Sequence, residues 1–105
     1  MTLSPSSLNF GKQQVGTTSQ PQTVTLTNYA PMAVTIFGVD ITGRNPGSYR
    51  MQSTTCKNTL PARGSCTINI VFAPKGLDGK IADLEVNDNG GLSPQIVSLM
   101  GKGTN

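Results

Sequence analysis

A chain of 105 residues with 12 glycines, 7 prolines, no tryptophan and no histidine has room for one small domain, since folding at this length buries roughly 65% of the unfolded chain's surface. Its net charge is +3 and only 12% of its residues are charged. Lys12, Arg44, Arg50, Lys57, Arg63, Lys75, Lys80 and Lys102 are placed singly along the sequence, so a nucleic-acid footprint is not expected.

Without histidine, the Ser/His/Asp and Cys/His catalytic arrangements are excluded, and two cysteines alone cannot complete a four-ligand zinc site. No window approaches the roughly 18 consecutive apolar residues of a membrane-spanning helix, and MTLSPSSLNF lacks the charged start and apolar run of a secretion signal. Membrane insertion is not expected. Residues 1–105 read as a single domain, excised from a larger multidomain parent that would carry any such signal.

Strands dominate, because Thr, Val, Ile, Ser, Asn and Gly are abundant and helix formers at 3.6-residue spacing are scarce. Leu8 and Phe10 flank Asn9 in a short first strand that Pro5 is expected to keep from extending upstream. From Gln22 to Asn28 the alternation is strict: Val24 and Leu26 face one way, and Thr23, Thr25 and Thr27 the other. In VTIFGVDI, Val34 and Ile36 share one phase and Val39 and Ile41 the opposite one, so a bulge or bend is expected at Phe37 and Gly38.

A weaker strand surrounds Tyr49 and Met51. CTINIVF turns Cys66, Ile68, Ile70 and Phe72 inward until Pro74 stops it. Between Ile81 and Val86 the residues Ala82, Leu84 and Val86 face the core, and Asp83 and Glu85 face solvent; the closing strand, Ile96 to Gly101, buries Val97 and Leu99. Turns are expected at NYAP, GRNPG, LDG and NDNGG. Seven short antiparallel strands with these separations predict an immunoglobulin-like β-sandwich, with a β-barrel as the alternative.

Cys56 and Cys66 bracket KNTLPARGS, whose proline and glycine let the connection turn back. A disulfide is expected, stapling this loop to the strand that follows, with two reduced buried thiols as the alternative. It would contribute about 3 kcal/mol in the chain-entropy model and would place the domain in an oxidising compartment: extracellular, at the cell surface or periplasmic.

The frame NFGKQQVG, SCTINIVFAP and VSLMGKG resembles the immunoglobulin-like domain of the abnormal spindle and hydin family, and within it the bacterial choice-of-anchor D repeats. Phe10, Val15 and Gly16 match the opening strand and turn; Leu26 and Asn28 match the second strand and its end. Cys66, Phe72 and Pro74 match the fifth strand, and Leu99, Gly101 and Gly103 the closing one. The resemblance implies a seven-stranded sandwich related to major sperm protein and the pilus chaperones, acting as a spacer or protein-interaction module without catalytic residues. The cysteine pair resembles the bacterial secreted branch.

Neither a catalytic, a cofactor-binding nor a metal site is expected. Asp83 and Glu85 share a strand face, but a solvated face accounts for them; Asp88 and Asn89 lack the spacing of a calcium loop. Tyr29 and Phe37 are the aromatics expected to be exposed and are the candidate ligand contacts. Partners are expected to be another protein or neighbouring domains of the same chain, reached through an exposed sheet edge, at the first strand or the strand around Tyr49. A polysaccharide-binding module and an intracellular scaffold of the ciliary or centrosomal kind are the alternatives.

Overall fold

The structure, a computed structural model, describes residues 2–89 and 95–105. Its strands are β1 (Thr2–Ser4), β2 (Ser7–Gln14), β3 (Gln22–Thr27), β4 (Val34–Thr42), β5 (Tyr49–Thr54), β6 (Thr59–Leu60), β7 (Ser65–Phe72), β8 (Asp78–Asp88) and β9 (Gln95–Thr104), with one 3₁₀ turn at Pro46–Ser48. They form a sandwich of two sheets, ordered β1-β3-β7-β5 and β2-β9-β8-β4-β6.

Strand phase builds the core. In one sheet β3 and β7 pair antiparallel with Val24 opposite Ile68 and Leu26 opposite Cys66. In the other, β8 and β9 set Ala82 opposite Leu99 and Leu84 opposite Val97. All eight side chains are buried. Each large aliphatic among them stabilises the fold by about 1.5–3 kcal/mol relative to exposure. The outward threonines make a polar ladder: Thr23 Oγ1 donates to Asn69 Oδ1 at 2.6 Å and Asn69 Nδ2 donates to Ser53 Oγ at 2.8 Å.

The expected bend in β4 is a register shift between Ile36 and Gly38 against β8. The extra residue turns Phe37 outward, 69% exposed, while Ile36 stays buried and Val39 and Ile41 pack against the core.

Among the described residues nine strands replace the seven expected, for two physical reasons. Pro5 does stop β2, but it does not stop strand structure: beyond the cis Ser4–Pro5 peptide the chain crosses to the other sheet, where β1 pairs with β3 and Leu3 lies opposite Leu26. The second addition, β6, lies inside the segment between the cysteines, where Thr59 and Leu60 pair with the start of β4. The sheets are also not wholly antiparallel, because β2 runs parallel to β9. β8 begins at Asp78, so the expected LDG turn is mostly strand, and β9 continues past Gly101 to Thr104. Of the expected NDNGG turn, Asn87 and Asp88 belong to β8, and Gly90 and Gly91 lie outside the described residues.

Candidate functional site

Chemistry-bearing side chains gather at the two ends of the sandwich and along its edges. At one end, the exit of β3, the entry of β4 and the segment between the cysteines meet. Cys56 lies just beyond β5 and is bonded to Cys66 in β7, with Cα atoms 5.0 Å apart. The bond therefore joins the exit of an edge strand to its neighbour in the same sheet. Between the two cysteines the chain crosses to the other sheet to form β6 and returns.

Asn28 fastens the same end. It is fully buried; its Nδ2 lies 3.0, 3.2 and 3.1 Å from the carbonyl oxygens of Met32, Leu60 and Pro61, and its Oδ1 accepts from Ala30 N at 3.0 Å. A buried amide satisfied this way costs little, whereas its loss would strand several carbonyls. The loop it holds projects Tyr29 and Met32, 66% and 67% exposed.

At the opposite end three rings fill the gap between the sheets. Tyr49 and Phe72 stack with centroids 4.8 Å apart, and Phe10 lies 5.8 Å from each. Phe72 sits so close beneath β9 that a Cβ on Gly101 would lie 2.6 Å from its Cε2, which is why glycine is required there. Tyr49 Oη donates to Lys80 O at 2.7 Å. Burial pushes its hydroxyl up from the ordinary 10.0 to about 12, because a phenolate would lose its hydration.

Above this plug, Arg44, Asn45, Pro46, Gly47, Ser48, Lys75, Gly76 and Lys80 line an open depression of about 300 Å³. A smaller, more enclosed groove of about 260 Å³ adjoins it on the outer face of the five-stranded sheet, sharing Arg44 and walled by Ile81 and Met100.

Tyr29 and Phe37, the expected ligand contacts, are both exposed but line neither of these depressions. Asp83 and Glu85 lie half-buried on the outer face of β8, with Asp40 of β4 opposite Glu85. Among the described residues no group of three or more His, Cys, Asp or Glu side chains could hold a metal ion. Asn89 ties the end of β8 to β4, since its Oδ1 accepts from Thr35 N and its own N–H donates to Thr35 O. The long sheet margins are β2 and β5, where the sequence places them, and each carries a register shift. Bulges of this kind twist an edge away from indiscriminate pairing. No helix in the described residues is long and apolar enough to cross a membrane.

A family model described as "Abnormal spindle-like microcephaly-assoc'd, ASPM-SPD-2-Hydin" (ASH) matches residues 1–96. The chain belongs to the ASH family. Domains of this family are protein-interaction modules in type and typically non-catalytic. Among solved structures, the ASH chain is similar to PapD-like domain 7 of human CEP192, with TM-score 0.71 and 16% identity over 98% of this chain and 84% of that one. It is also similar to part of the secreted serine protease VesC from Vibrio cholerae, with TM-score 0.68 and 12% identity over 90% of this chain but only 21% of that one. SSP-19, an MSP-domain-like protein of Caenorhabditis elegans, matches with TM-score 0.61 and 16% identity over 100% of both chains. At these identities the likeness establishes the fold, a sandwich of the PapD and MSP kind. No curated protein sequence matches the chain.

Proposed function

We propose that this ASH domain is a non-catalytic spacer or interaction module of a larger secreted or surface bacterial protein, of the choice-of-anchor D kind. The observation that carries this reading is the Cys56–Cys66 bond, since such bonds persist in oxidising compartments and are rare where thiols are kept reduced. The same fold forms a minor part, 21%, of a secreted protease, which supports a role as a module appended to a larger chain. The contacts are with protein, either a partner or neighbouring domains of the same parent, through the β2 or β5 margin and the exposed Tyr29 and Phe37.

The parent reading frame tests the setting: a secretion signal with further copies of this frame supports it, and a parent lacking any signal contradicts it. A glycan array probed with the intact 105-residue chain tests the class of partner. No saturable binding is expected; binding that Tyr29→Ala abolishes would instead make the domain a polysaccharide-binding module.

A second reading, an intracellular scaffold, is favoured by the likeness to the CEP192 domain. It differs in one measurable respect, because it requires Cys56 and Cys66 to be reduced thiols in the native host.

A further inference from the structure

Arg44 follows the exit of β4, Lys75 lies in the β7–β8 connection, and Lys80 lies near the start of β8. The sheet order brings these three cations around a single depression of about 300 Å³ that has no Asp or Glu in its lining. The other lining residues are Asn45, Pro46, Gly47, Ser48 and Gly76, all neutral and small or amide-bearing.

The walls are fixed. Asn45 N donates to Ile81 O at 2.8 Å, and Ile81 N donates back to Asn45 Oδ1 at 3.1 Å. Ala73 N donates to Ser48 O at 2.8 Å, and Tyr49 Oη holds the Lys80 carbonyl. The ammonium groups crowd in over the glycines: a Cβ on Gly47 would lie 3.7 Å from Lys75 Nζ, and one on Gly76 would lie 3.4 Å from Lys80 Nζ. Three like charges around one hollow repel one another, and a multiply charged anion between them turns that repulsion into attraction.

We propose that Arg44, Lys75 and Lys80 form an oxyanion-binding site that takes a doubly charged phosphate or sulfate group, either as the free anion or as an ester carried on a protein partner. A dianion matches the charge of the hollow better than a single carboxylate. Arginine supplies a planar fork for two of its oxygens, and the lysines supply point charges. This site is independent of the compartment in which the domain works and of whether it binds through its edges.

The test is a titration of the isotope-labelled 105-residue chain, followed by amide resonances, with inorganic phosphate, sulfate and acetate in turn. Saturable shifts centred on Arg44, Asn45, Gly47, Ser48 and Gly76 are expected, with phosphate or sulfate binding at least about tenfold more tightly than acetate. Lys75→Gln and Lys80→Gln are each expected to weaken phosphate binding about tenfold, while Lys12→Gln and Lys57→Gln leave it within about twofold; the dispersed spectrum of each variant reports that it is folded. Shifts spread evenly over the surface lysines, equal losses in all four variants, or acetate binding as tightly as phosphate would each overturn the proposal. A phosphoserine peptide run beside its unphosphorylated form separates the sources: tighter binding than free phosphate at the same amides marks a protein-borne ester, and weaker binding marks a free-anion site.

Discussion

At one end of the sandwich a covalent bond between Cys56 and Cys66 and the buried Asn28 amide hold the connections, whereas at the other three aromatic rings and the close approach of Gly101 do so without any cross-link. The first end is closed by constraints on the chain, the second by packing. Their surfaces differ correspondingly. The stapled end offers exposed apolar side chains on a pinned loop, Tyr29 and Met32. The packed end offers three cations around an open hollow. Each end can therefore be weakened by a different treatment, and each presents a different surface chemistry.

The largest effect is expected at the packed end. Phe72→Ala removes a fully buried ring that touches both other aromatics, and it is expected to cost about 3–5 kcal/mol in denaturant unfolding. A cost below about 1 kcal/mol would mean that the rings do not close this end. At the stapled end, replacing Cys56 and Cys66 together by serine is expected to cost about 3 kcal/mol. Reduction should destabilise the native chain by a similar amount and leave Phe72→Ala with its own full cost, because the two sites act separately. Strong non-additivity would break the comparison.

A pH series sharpens it further. The Tyr49 hydroxyl is raised above its unfolded value, so the folded state holds this proton more tightly. Its contribution is intact below pH 10 and is lost as pH climbs through the interval from 10.0 to about 12. Tyr49→Phe is expected to lose about 1 kcal/mol at neutral pH, the worth of its hydrogen bond to Lys80 O. Its stability should then fall less steeply than that of the parent chain across the alkaline interval, as read from unfolding midpoints. The smallest effect belongs to Tyr29→Ala and Phe37→Ala, each expected to stay within about 0.5 kcal/mol of the parent because both side chains are largely in solvent. A larger loss would show that they belong to the packing rather than to a contact surface.

The strand phases of Val24, Leu26, Ile68, Ile70, Leu84 and Val97 are legible in the sequence because a period of two needs only local information. The bulge at Phe37 is legible for the same reason, as a phase slip bracketing a glycine. β1 and β6 are not, since strands of three and two residues acquire their identity from the partner across the sheet and not from their own alternation. The parallel pairing of β2 with β9 depends on the β1–β2 segment switching sheets, which no local pattern encodes. The least legible feature is the cation cluster. Arg44, Lys75 and Lys80 read as scattered single charges, and only the order β9-β8-β4 and the adjacent β4–β5 and β7–β8 connections bring them together. Asn28 lies between: the family resemblance singles it out, and only the structure shows that it ties three carbonyls at the stapled end.

The covalent closure of one end is the claim on which the compartment and the contrast between the ends both depend. Intact-mass measurement of the protein from its native host, with free thiols alkylated at lysis, tests it most directly. Closure predicts a chain two hydrogens lighter than its reduced form and carrying no alkyl group; alkylation at both Cys56 and Cys66 would contradict it.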